Sequence, residues 1–161
     1  MANGWFKTDL VGRTADGRTT RARIAYAGDG SDLQAVLDAA PEGATVACDP
    51  KRSLEISKSI TVRRALTLRG LNARLPKKLG NTPILIVAAE GVSLADLELH
   101  GNYDSVSQND RAPLIHVTKG RITIERCAFY DASKDGIMVT PTKSDGDIVG
   151  DGTEVAAGTD P

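Results

Sequence analysis

The most constraining feature of the chain is a repeat that runs without a gap. Ile84-Leu85-Ile86-Val87 is followed by Val92, Leu94, Leu97 and Leu99. Thirty positions on, Leu114-Ile115-His116-Val117 is followed by Ile122, Ile124, Cys127 and Phe129. Within each unit the apolar residues stand two apart, the spacing at which strand side chains return to the same face. Gly, Asn, Asp or charged residues separate the short runs. An earlier copy reads Leu54 and Ile56, Ile60 and Val62, Leu66 and Leu68, with a longer loop before the next turn. A further copy opens at Ile137-Met138-Val139.

Three short strands per unit cannot bury an apolar face alone and must stack on the matching strands of the next unit. The pattern therefore predicts an all-β chain, a right-handed parallel β-helix of about three to four coils. Like residues should lie in ladders at about 4.8 Å per coil, among them Leu66, Leu97 and Cys127. A leucine-rich repeat has units of about 20–29 residues and a Leu/Asn signature that is absent here. An antiparallel sandwich does not require so regular a register.

The flanking segments complete the layout. Trp5 to Val11 and Arg21 to Tyr26 alternate about a turn at Asp16-Gly17, which fits a hairpin or arm over residues 1–30. Ser31 precedes Leu33, Val36, Leu37 and Ala40 at helical spacing, with Gln34 placed to complete a capping box. A helix over 31–40, ending before Pro41, would cap the N-terminal end of a β-helix spanning 31–139. Residues 140–161 are rich in Gly, Asp, Thr and Ser and read as a mobile tail.

Composition narrows the function classes. The chain has 161 residues, 40% hydrophobic, 25% charged and 4% aromatic, with 16 Gly and a net charge of -1. That is one domain's worth of globular chain with aliphatic packing. The charge supplies no field to draw in nucleic acid or an anionic membrane. No stretch has the length of a membrane span, and no signal-peptide core is present. Cys48 and Cys127 lack metal-ligand spacing and read as free thiols.

Gly91-Val92-Ser93-Leu94-Ala95-Asp96-Leu97-Glu98-Leu99-His100-Gly101-Asn102 and Gly120-Arg121-Ile122-Thr123-Ile124-Glu125-Arg126-Cys127-Ala128-Phe129-Tyr130 resemble coils of the pectate-lyase-like β-helix superfamily. Lys134-Asp135-Gly136-Ile137 is similar to the turn that opens the next coil. The resemblance covers about residues 31–139, and it implies an extracellular or cell-surface setting. Its members include polysaccharide lyases, uronan epimerases, glycoside hydrolases, phage tailspikes and non-catalytic surface proteins, so it specifies fold more closely than activity.

The resemblance also implies that substrate lies along one lateral face beneath loops. The longest loops follow the third strand of each coil and should stack on one side. They carry Arg74, Lys77 and Lys78, then His100, Asn102, Tyr103, Asp104, Asn109, Asp110 and Arg111, then Tyr130, Asp131, Lys134 and Asp135. A lyase on an acidic polysaccharide must neutralise the uronate, take its α proton and protonate the leaving oxygen. His100, Tyr103 and Lys134 are the expected proton-transfer groups. Arg74, Lys77, Lys78, Asn102, Asn109, Arg111, Asp131 and Asp135 are the expected substrate contacts, and Asp104 and Asp110 are hard ligands for Ca²⁺. His116, which takes the place of Ile86 one coil earlier, reads as an inward or strand-edge structural residue. The alternative is an assembly module, tailspike-like or from a surface protein. Its open end would be closed by a homo-oligomer or by further coils.

Overall fold

The structure, a computed structural model, describes residues 6–13, 19–26, 31–140, 143–144 and 147–148. The Asp16-Gly17 turn and most of the 140–161 tail lie outside the described residues.

The chain winds into four coils, each giving one strand to each of three parallel sheets. Sheet A takes β3 (Thr45–Cys48), β6 (Thr67–Arg69), β9 (Val92–Ala95) and β12 (Ile122–Glu125). Sheet B takes β4 (Ser53–Glu55), β7 (Asn72–Arg74), β10 (Glu98–His100) and β13 (Ala128–Tyr130). Sheet C takes β5 (Ile60–Val62), β8 (Leu85–Val87), β11 (Ile115–Val117) and β14 (Ile137–Val139). The fold is a parallel β-solenoid of about four turns.

Alternation makes the core. Val46, Leu68, Leu94 and Ile124 form one inward ladder, and Leu54, Ala73, Leu99 and Phe129 a second. Sheet C supplies Ile60, Leu85, Ile115 and Ile137, flanked by Val62, Val87, Val117 and Val139. The members from the first three coils are buried. Those of the outermost strands (Ile124, Phe129, Ile137 and Val139) are half-buried.

Register corrects one expected ladder. In sheet A the repeat lengthens from coil to coil: Thr45 pairs with Thr67, Thr67 with Ser93, and Ser93 with Thr123, steps of 22, 26 and 30 residues. Because the early coils are shorter, Asn72 rather than Thr67 lies beneath Glu98. Leu71, not Leu66, therefore precedes Leu97 and Cys127, and Leu66 belongs beneath Val92.

The corner between sheets A and B has its own column. Gly70, Asp96 and Arg126, at matching places in successive coils, all have left-handed backbone, with φ of 72°, 55° and 51°. At Gly70 a Cβ would stand 2.6 Å from the Cys48 carbonyl oxygen, so glycine is required by space as well as by φ.

Two devices protect the N-terminal end. β1 (Phe6–Arg13) and β2 (Thr19–Tyr26) form an antiparallel hairpin, and β1 adds antiparallel to β3, so the hairpin extends sheet A. Helix α1 (Ser31–Ala39) lies against β2 and β5, burying Leu33, Val36 and Leu37. Gln34, expected in a capping box with Ser31, instead turns its amide on Thr61, accepting from its N–H at 2.7 Å and donating to its carbonyl at 2.9 Å. In doing so it occupies the edge of sheet C as a neighbouring strand would.

Beyond Thr140, β15 (Lys143–Ser144) and β16 (Asp147–Ile148) pair antiparallel with each other. Among the described residues no helix is long and apolar enough to cross a membrane.

Candidate functional site

Every long connection lies between sheet B and sheet C, so residues 75–84, 101–114 and 131–136 stack along one edge of the solenoid. Backbone and side-chain bonds lock them to each other. Asn102, 8% exposed, donates from Nδ2 to the carbonyls of Pro76 (2.8 Å) and Leu79 (3.0 Å). Asn81 donates from its backbone to the Asp110 carbonyl (2.7 Å) and from Nδ2 to Asp110 Oδ1 (3.2 Å). Gly101 donates to Tyr130 O and Tyr103 to Asp131 O, at 2.8 and 3.1 Å. A Cβ at residue 101 would collide with that Asp131 carbonyl. Ser133 Oγ exchanges hydrogen bonds with both backbone groups of Ala112.

Against this packed floor the last two loops open a cleft of about 530 Å³ lined by Tyr103, Gln108, Asn109, Arg111, Ala132, Ser133, Lys134 and Asp135. The Arg111 guanidinium lies 4.6 Å from the Tyr103 ring centroid, a cation–π contact that holds the ring and cation together. Arg111 Nε is buried without a hydrogen-bond partner in the described chain, an uncompensated donor in the cleft wall. Lys134 and Asp135 are exposed on the opposite loop.

Next to the cleft, the outer face of sheet B carries Glu55, Arg74, His100 and Tyr130 in register, one per coil. Arg74 Nε reaches Glu55 Oε2 at 3.4 Å. His100 Nε2 meets Glu98 Oε1 at 2.7 Å, and its ring stacks on Tyr130 with centroids 4.7 Å apart and planes at 14°. Tyr103 and Tyr130 are the large hydrophobic residues exposed among the described residues, 47% and 48%, and both lie on this edge.

The expected site residues therefore divide. Tyr103, Asn109, Arg111, Lys134 and Asp135 come together in the cleft, joined by Gln108, which sequence reasoning had passed over. Arg74 and His100 stand on the neighbouring sheet face, and Lys77 and Lys78 are exposed on the first loop. Asp131 contributes a carbonyl to Tyr103 at a left-handed φ of 51°. Asn102 is a tie between loops. His116 faces outward in the row of Ile86 and Met138, half-buried, with Nε2 2.8 Å from Thr140 Oγ1, so of the inward and strand-edge placements expected for it the inward one is excluded.

Asp104 and Asp110 are the residues expected to hold Ca²⁺. Asp110 has Oδ1 engaged by Asn81 and Oδ2 by Ser107 Oγ at 2.6 Å, and no group of three or more His, Cys, Asp or Glu suited to a metal occurs among the described residues. A hard cation asks for several converging oxygens.

The shifted titrations lie elsewhere, at the sheet A/B corner. The hydrogen bond from Arg126 holds the Asp96 carboxyl below the usual aspartate range, helped by the charges of Arg126 and Arg69, and Asp96 in turn raises Arg126. Burial pushes the Cys127 thiol up. Neither Cys48 nor Cys127 forms a disulfide, the former being buried and the latter half-buried.

What these features define is a β-solenoid with a loop-built cleft on one lateral edge. Comparison with family models, with curated proteins and with solved structures finds no match to the chain.

Proposed function

We propose that the chain is a carbohydrate-contacting β-solenoid module whose loop edge takes an acidic polysaccharide, in the manner of the pectate-lyase-like proteins it resembles. The observation that carries this reading is a pair of exposed tyrosine rings on one edge, each stacked against a nitrogen-bearing side chain, with one unengaged donor at Arg111. Tyr103 lies under Arg111, Tyr130 under His100, and Arg111 Nε has no partner. Sugar rings present apolar C–H faces that seat on aromatic surfaces, and a uronate needs a planar, bidentate cation such as Arg. The edge offers both.

The same cleft holds groups for lyase chemistry. Arg111 would neutralise the uronate, and Tyr103 and Lys134 would move the protons. His100 stands on the sheet face with Glu98 and is assigned to binding.

The test is affinity electrophoresis in gels containing pectate, alginate or a glycosaminoglycan. It is paired with ultraviolet detection of the unsaturated product, with and without Ca²⁺. Retardation by an acidic glycan supports the module, and appearance of product adds the lyase. Migration unchanged by every acidic glycan would overturn the reading.

A second reading has its own observation. The apolar ladder ends Ile124, Phe129, Ile137 and Val139 are half-buried, while the same ladders are buried in the earlier coils. We infer from this an assembly surface at the last coil, which a second chain would close. Light scattering decides it: a stable oligomer supports the surface, and a monodisperse monomer counts against it.

A further inference from the structure

The cleft and the neighbouring face of sheet B have opposite polarity. In the cleft the unengaged group is a donor, the buried Arg111 Nε, and Lys134 is exposed on the facing loop. The cations Arg111 and Lys134 there outnumber the one carboxylate, Asp135.

On sheet B the groups are acceptors. Asn72 Oδ1 is the other buried side-chain atom without a partner among the described residues. It belongs to the residue in register with Glu98, one coil below it. Glu98 meets His100 Nε2 at 2.7 Å, and its side chain is 47% exposed. Arg74, in register below His100, is paired with Glu55 at 3.4 Å. Whichever charge the imidazole carries, the cations of this face are balanced by Glu98 and Glu55. A uronate set down here would lose hydration, find no unpaired counter-charge and meet the Glu98 carboxylate.

The two surfaces meet at the tyrosines. Tyr130 stacks on His100 with ring centroids 4.7 Å apart, and the next residue, Asp131, accepts from the Tyr103 N–H at 3.1 Å. Tyr103 in turn carries the Arg111 guanidinium at 4.6 Å. A glycan seated on both rings therefore lays one sugar among donors and another among acceptors.

We propose that the occupant is a mixed acidic glycan, alternating a uronate with a neutral sugar, and that Glu98 is the residue that turns away a chain made of uronates alone. The uronate lies at Tyr103 and Arg111. The neutral sugar lies on Tyr130, with its O–H or amide N–H donors toward the acceptors of sheet B. Discrimination of this kind needs a repulsive group beside the attractive ones, and Glu98 supplies it. The inference rests on the acidic-glycan reading above and narrows it to one substrate class.

The test is calorimetric titration, at one ionic strength, of hyaluronan tetrasaccharide, unsulfated chondroitin tetrasaccharide and tetragalacturonate into wild type, Glu98→Gln and Tyr130→Ala. Glutamine keeps an oxygen for His100 and removes the charge, and a urea midpoint checks that each variant folds. The wild type should bind one of the alternating tetrasaccharides about fivefold or more tighter than tetragalacturonate, the scale of one exposed charge contact. Glu98→Gln should close that gap by strengthening tetragalacturonate. Tyr130→Ala should weaken the alternating ligand about fivefold, the loss of a stacked ring. Tetragalacturonate bound as tightly as the alternating ligands, a gap unmoved in Glu98→Gln, or Tyr130→Ala binding as wild type would each overturn this inference and leave the acidic-glycan reading standing. No binding of any of the three would overturn both.

Discussion

Gln34 acts on Thr61 as a strand would, its side-chain oxygen accepting from the backbone N–H at 2.7 Å and its side-chain nitrogen donating to the carbonyl at 2.9 Å. One residue of a helix so satisfies both backbone groups that the first strand of sheet C would otherwise leave open. Gln34→Ala is expected to lower stability by about 1–3 kcal/mol, the cost of leaving part-buried backbone groups unpaired. Gln34→Glu keeps an acceptor for the N–H but sets a carboxylate oxygen against the Thr61 carbonyl, so it should fall below wild type too. Midpoints of urea unfolding measure both.

The inward ladders set a second expectation. Leu99 is 0% exposed between Ala73 and Phe129. Its replacement by Ala should cost about 2–5 kcal/mol, as buried leucine truncations do when neighbours cannot collapse into the space. Phe129→Ala, on the half-buried last coil, removes more atoms yet should cost less than a fully buried Phe would. Equal slopes with shifted midpoints in urea would mark the effect as stability alone.

Much of this ladder was legible in the sequence, and the reason is physical. Leu85 and Ile115, or Leu94 and Ile124, are thirty residues apart because both spans contain the loop 101–114 and the connections 88–91 and 118–121 are equal in length. The first coils hid their register, because a 22-residue and a 26-residue step precede the 30-residue one. Leu66 and Leu71 are both buried leucines in short strand-like runs, and only backbone pairing decides which lies beneath Leu97. The loop edge was legible from insert length. Its internal bonding was not: nothing in the order of residues shows that Asn102 turns inward to Pro76 and Leu79, or that Asp110 is held by Asn81. The inward option for His116 arose from Ile86, its partner below, which looks like a core residue by type but faces outward.

Asp96 gives a pH expectation with a defined sign. Its carboxyl is held below the ordinary range, about 4, by the hydrogen bond from Arg126, with the Arg126 and Arg69 charges adding to it. A depressed folded-state value contributes stability that is present above the unfolded value and is lost as pH falls through the folded one. Stability should therefore decline as pH drops below about 4, and Asp96→Asn should flatten that decline. Asn also tolerates the left-handed backbone at this corner, so the variant isolates charge from strain. Thermal midpoints across pH 2 to 7, read against the wild type, follow the titration of aspartate in the range of about 4 and below.

Gly101 tests whether the loop edge is a built surface. Gly101→Ala would drive a methyl into the Asp131 carbonyl and force the third loop away from the second. The coils should still form, so circular dichroism should keep its β signature. Binding of an acidic glycan should fall along with the displaced Lys134 and Asp135.

Most direct for the glycan edge is calorimetric titration of acidic oligosaccharides into the wild type, Tyr103→Ala and Arg111→Ala, each first checked for an unchanged unfolding midpoint. The expected result is measurable binding to the wild type and a loss of about tenfold or more in each variant, since a stacked ring and a buried cation commonly carry most of the energy of such a contact. Wild-type binding that survives both substitutions, or no binding to any acidic oligosaccharide, would contradict the assignment.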